Sequence, residues 1–312
     1  MRPGISKSTC FRGAAFKLPF FLLLPFSVAA ADLPDLQQEI ENPMQQEAFS
    51  EPSEIAPEVV FSEWELEPVD EAEEAALSIN EPMYFVVGGN VDGSGDLTSR
   101  FQISFKYRMF SEDGLFVKHL PWLEKFHLGY TQTSLWNLSA ESKPFEDTTY
   151  RPSFFWELNT PQFGWKPDYW RFGYEHESNG QAGDESRSVD TLFIQPAWSF
   201  NIGDKNLVIA PKLSTYINKG DENDDVVDYR GRSGLTIRYG SEDGFLASLT
   251  TRYGLQRFGN AQLDLTYPIR QKIFSRAGGY IYLQFFHGYG ESLLNYDEKE
   301  PLRVRLGFAI VR

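Results

Sequence analysis

From Pro82 to the C-terminus, apolar or aromatic residues recur at alternate positions through twelve consecutive segments, separated by polar or Gly-rich stretches. The segments lie near 82–90, 100–110, 124–135, 150–159, 168–178, 188–199, 206–216, 229–239, 244–253, 262–270, 279–288 and 302–311. In the last of them Val304, Leu306, Phe308 and Ile310 share one face. Side chains of a strand point alternately to opposite sides, so period two predicts strands with one apolar and one polar face. No stretch after Pro82 has helical periodicity, and none is apolar for long enough to form a spanning helix. Strands of roughly ten residues, even in number and rich in Tyr, Trp and Phe, predict a transmembrane barrel. The expected fold is all-β: a twelve-stranded antiparallel transmembrane β-barrel, closed so that no backbone edge meets lipid. A soluble sandwich is the rival, and it would turn the polar face outward.

Parity places the loops. With both termini on the periplasmic side, the connections at 91–99, 136–149 and 179–187 open outward, whereas the short turns 201–206 and 239–244 lie on the periplasmic side.

The first 81 residues break the pattern. Residues 1–31 read as a signal peptide: basic Arg2, Lys7, Arg12 and Lys17, the apolar run PFFLLLPFSV, then Ala29-Ala30-Ala31. The only cysteine, Cys10, precedes that run, so the exported chain would have no disulfide, thiol chemistry or lipid-anchored cysteine. Residues 32–81 hold 16 Asp and Glu and no Lys or Arg, which accounts for the net charge of −15. Such a segment is expected to be a disordered, acidic periplasmic leader. Its charge argues against nucleic acid as a partner. The barrel domain is then 82–312.

One stretch carries candidate chemistry. Residues 174–190 read YEHESNGQAGDESRSVD and contain His176, Ser178 and Asp190, the residue types of an activated serine nucleophile. On a strand, Phe172, Tyr174, His176 and Ser178 share one face, and Arg171, Glu175 and Glu177 take the other. Residues 179–187 make a plausible hairpin loop. If Ser178 pairs with Ser188, Asp190 falls directly opposite His176, close enough to orient an imidazole. The same face carries Leu192 and Ile194, so the serine would sit on the apolar side of the barrel.

The motif HESNG followed by SRS resembles the active-site region of the bacterial outer-membrane phospholipase A family. The likeness runs from about residue 124 to the C-terminus. It includes GYTQTSLWNLS (129–139), KPFEDTTYRP (143–152), LTYPI (265–269) and GYGESLLNYD (288–297). It implies an outer-membrane, calcium-dependent hydrolase of phospholipid acyl esters. His176 would be the general base, Ser178 the nucleophile and the Gly180 N–H an oxyanion donor. It further implies that Ser142, Ser186 and the backbone carbonyl of Gln181 supply calcium ligands at the loops of a homodimer, and that Gln132 faces the partner. The chain departs from the family pattern twice. Asp190 stands where the family has asparagine, and Arg312 stands where such barrels commonly end in an aromatic residue.

The acid-rich runs 220–228 and 90–96 lack a regular calcium-ligand spacing and read as solvated loops. No zinc spacing, phosphate loop or nucleotide fingerprint accompanies His119, His127 or His287. The reading from another class is a non-catalytic barrel, a channel or structural protein.

Overall fold

A computed structural model describes residues 76–161, 164–241, 243–255, 258–274 and 277–312. The signal-peptide and most of the leader assignments therefore fall outside the described residues. Twelve strands close into one antiparallel barrel. They are β2 (Met83–Asn90), β3 (Thr98–Arg108), β4 (Phe126–Asn137), β5 (Phe145–Asn159), β6 (Tyr169–Ser178) and β7 (Ser188–Ile202). β8 (Lys205–Lys219), β9 (Ser233–Gly240), β10 (Leu246–Tyr253), β11 (Gly259–Phe274), β12 (Ala277–Tyr289) and β13 (Lys299–Val311) complete it. Neighbours in sequence pair throughout, and β13 returns to β2, so the ring has no free edge.

The two faces settle the choice between barrel and sandwich. Ile103, Leu192, Leu213, Leu306 and Ile310 lie on the outside, each 46–58% exposed, while Arg171, Gln284 and Arg305 are buried in the lumen at 0–6%. Apolar side chains outside and charges inside is the arrangement of a barrel solvated by lipid. The lumen is held by ion pairs: Lys106 with Glu157 at 2.6 Å, Lys212 with Glu175 at 3.2 Å, and Glu291 with both Arg305 and Arg303, at 2.5 and 2.9 Å. A cavity of about 700 Å³ remains among them.

Three details differ from the alternation. The strand expected from 229 starts at Ser233, because Val226–Arg230 form a short helix, α2. Its Val226 and Val227 are buried against Val189 and Tyr296, so the acid-rich run ends in a packed turn. A second short helix, α1 (Leu115–His119), lies in the β3–β4 connection. Finally, the chain joins the sheet before Pro82. β1 (Leu77–Ser78) pairs with β3, and Asn80 then dips into the lumen to bond Thr131 and Arg171, while Glu81 pairs with Arg151.

Arg312 has a definite place. Its guanidinium donates to the carbonyls of Gly244 and Ser241 and lies 4.3 Å from the Tyr280 ring, tying the C-terminus to the β9–β10 turn.

Candidate active site

β6 and β7 pair with Ser178 opposite Ser188 and His176 opposite Asp190, the register on which the triad reading depends. Tyr174, His176 and Ser178 therefore face outward. Behind them Glu175 and Glu177 enter the lumen, where Lys212 and Arg230 pair with them at 3.2 and 2.9 Å. Two ion pairs at the back of the strand fix the side chains on its front.

His176 Nδ1 lies 2.7 Å from Asp190 Oδ1. An ionised carboxylate only accepts, so Nδ1 carries the proton and Nε2 keeps its lone pair when the ring is neutral. Ser178 follows two residues along the same face, about 7 Å away Cα to Cα, and among the described residues no hydrogen bond joins its hydroxyl to His176. The imidazole is 35% exposed and the carboxylate 17%, so the base is open to a reactant while its orienting group is shielded.

Two further donors converge on Asp190. Tyr174 Oη donates to Oδ1 at 2.6 Å, and Asn218 Nδ2 donates to Oδ2 at 3.0 Å. The pattern assigns Tyr174 to the apolar wall, and its ring does stack on Phe154. The hydroxyl is the part that the pattern does not resolve. Asn218 is concealed by a bulge: Thr191 pairs with Tyr216 but Asp190 pairs with Asn218, so β8 carries one extra residue at Ile217. Strict alternation would have sent Asn218 into the lumen.

The loop after Ser178 is shaped by Asn179, which is almost wholly buried. Its side chain accepts from the amides of Gln181 and Arg187 and donates to the Glu185 carbonyl. Gly180 has φ +68°, and a Cβ there would approach the Tyr150 ring to 3.0 Å, so the position favours glycine twice over. Among the described residues no acceptor meets the Gly180 N–H, which leaves it available to an oxyanion.

Ser186 and Gln181 lie on this loop, and Ser142 lies on the outer loop between β4 and β5. Neither serine hydroxyl makes a hydrogen bond among the described residues. Next to Ser142, Lys143 is held at φ +46° with its carbonyl bonded to Trp136 Nε1 at 2.7 Å. Gln132 faces outward on β4, bonded to the Tyr130 hydroxyl at 3.0 Å, and pairs across the sheet with Tyr150, which in turn pairs with Ser178.

The motifs also contain a structural residue that the sequence does not single out. Asp147, in KPFEDTTYRP, is buried and accepts from the amides of Leu293 and Leu294, both at 3.0 Å. It thereby ties GYGESLLNYD across the outer mouth. His127 bonds the Lys125 carbonyl and stacks on Phe155, a packing role.

Known proteins resemble this chain along the barrel. Residues 74–310 match the family model described as phospholipase A1. Phospholipase A1 of Escherichia coli K12 is 33% identical over 182 residues, 57% of this chain and 59% of the relative. A Neisseria meningitidis relative is 30% identical over 215 residues. The matches span 52–59% of these relatives' own length. Among solved structures, outer membrane phospholipase A from Escherichia coli superposes with a TM-score of 0.63 at 24% identity, covering 78% of this chain and 95% of that one. The calcium-bound dimer of the Salmonella typhi outer membrane phospholipase gives 0.63 at 25% identity, covering 78% and 94%. With its family match running through the whole barrel, the chain belongs to the phospholipase A1 family.

Proposed function

We propose that this barrel sits in the bacterial outer membrane and hydrolyses acyl esters of phospholipids there. The observation that carries the reading is the 2.7 Å contact between His176 and Asp190, on the same outward face as Ser178. Ser178 attacks the acyl carbonyl as His176 takes its proton, and Asp190 holds the ring and stabilises the imidazolium. The Gly180 N–H meets the oxyanion. The aromatic surface supplies the substrate's path. Trp156 stacks on Phe172, and Phe154 on Tyr174, along a wall that ends at the triad. An acyl chain in the outer leaflet can reach the serine along that wall without leaving the bilayer.

Ser142, Ser186 and the Gln181 carbonyl would hold calcium, which when bound adds positive charge near the oxyanion. Ligands from two loops suit a homodimer. Gln132 lies two strands from Ser178 on one cross-strand row, with Tyr150 between them, so a partner docked on Gln132 would wall the substrate groove. Two polar glutamines facing each other would satisfy groups that lipid cannot.

The ion pairs spanning the lumen speak against a channel. The separating experiment compares fatty-acid release from phospholipid vesicles with ion conductance in planar bilayers. Release without conductance is expected, and conductance without release would establish the channel reading.

A further inference from the structure

A carboxylate beside an imidazole is free to rotate unless both of its oxygens are engaged. Asp190 has both engaged. Oδ1 accepts from His176 Nδ1 and Tyr174 Oη, and Oδ2 accepts from Asn218 Nδ2. Tyr174 reaches it from the same strand as His176, two residues earlier. Asn218 reaches it from the next strand, and only because β8 bulges between Tyr216 and Asn218. Bulges re-aim side chains, and this one brings a single amide to the carboxylate.

The chemistry is specific to an acid at 190. A carboxylate cannot donate, so Asn218 must present its NH2, and all three partners then act as donors. An asparagine at 190 would turn an NH2 toward Asn218 and require that amide to flip. We propose that Asn218 and Tyr174 are positioning residues, which hold Asp190 turned toward His176 so that the imidazole is correctly aimed at Ser178. This rests on the triad reading given above.

Loss of either donor should lower kcat and leave KM nearly unchanged, because neither residue carries the ester-binding wall through its polar atom. A hydrogen bond to a charged group is worth about tenfold or somewhat more. Tyr174→Phe, which removes one oxygen and keeps the stacked ring, and Asn218→Ala should each cost about that factor. In an Asp190→Ala background neither should cost anything further, since groups acting through one residue are non-additive.

The decisive test is a reciprocal exchange, with barrel folding checked by heat-modifiable migration on gels. Asn218→Asp places two carboxylates in contact and should lower kcat by far more than Asn218→Ala. Adding Asp190→Asn restores a donor–acceptor pair, with the NH2 now on residue 190, and should recover most of the lost rate. A merely structural role for Asn218 would give no such recovery. If Asn218→Asp does not fold, Tyr174→Phe alone decides between a fall in kcat and no change. Absence of rescue, or additive losses in the Asp190→Ala background, overturns the proposal while the triad stands. Activity in Ser178→Ala would overturn the triad, and the positioning role with it.

Discussion

Asp190 lies across one ladder from His176, with 2.7 Å between Oδ1 and Nδ1. That contact selects the tautomer, and in the proposed mechanism it would stabilise the charge that forms on the ring during attack. Asp190→Ala should therefore lower kcat on the order of a hundredfold or more. Asp190→Asn should lose much less, because an amide oxygen can still accept from Nδ1. Steady-state hydrolysis by the two variants checks this, and full activity in Asp190→Ala would remove the residue from the triad.

Calcium dependence should reside in the outer loops. Ser142→Ala and Ser186→Ala each remove one neutral oxygen ligand, so each should raise the calcium concentration at half-maximal activity. Titration of activity against free calcium measures the shift. Identical curves for wild type and both variants would remove these serines from the metal site.

Association should follow the same ion. Cross-linking is expected to capture dimers in calcium with a substrate analogue and mainly monomers in chelator. Gln132→Ala should weaken the dimer, since the outward amide would no longer meet its mate. An equally abundant dimer in chelator would show that association is independent of the metal.

The lumen predicts an acid sensitivity unrelated to catalysis. Glu291 comes from the outer loop after β12 and pairs with Arg305, Arg303 and Arg100. Burial works to raise its carboxyl, but the Arg305, Arg100 and Arg303 guanidiniums outweigh this and hold it below the ordinary value of 4.5. A depressed carboxyl contributes stability that is complete above its unfolded value and is lost as pH falls through the folded one. Unfolding midpoints should thus fall as pH drops below 4.5, and Glu291→Gln should flatten that dependence. Glu291→Ala, which takes the carboxylate partner from the buried Arg305 and Arg100 guanidiniums while Arg303 keeps Glu300, should destabilise by about 3–5 kcal/mol. An unchanged midpoint in either variant would show that the cluster does not hold the barrel.

Much of this was legible in the sequence because a barrel strand obeys one rule. Period two located the strands to within a few residues, and the hairpin adopts, among the registers that alternation allows, the one that pairs Ser178 with Ser188. The rule fails where the backbone departs from it. At Ile217 an inserted residue reverses the side to which Asn218 points, and nothing in LSTYINKG marks the insertion. It also fails where a side chain is both apolar and polar, as with Tyr174, whose ring belongs to the wall and whose hydroxyl belongs to the site. Asp147 illustrates a third limit. Its partners, Leu293 and Leu294, are 146 and 147 residues away, and only closure of the barrel brings them together.

The most direct test of the account labels purified protein with a long-chain sulfonyl fluoride in calcium and maps the modified residue by mass spectrometry. Fatty-acid release from phospholipid vesicles is followed on the same samples. The account predicts a single adduct on Ser178, loss of hydrolysis in proportion to labelling, and neither labelling nor hydrolysis in a folded Ser178→Ala barrel. Hydrolysis by Ser178→Ala near the wild-type rate, or an inactivating adduct on any other residue, would contradict it.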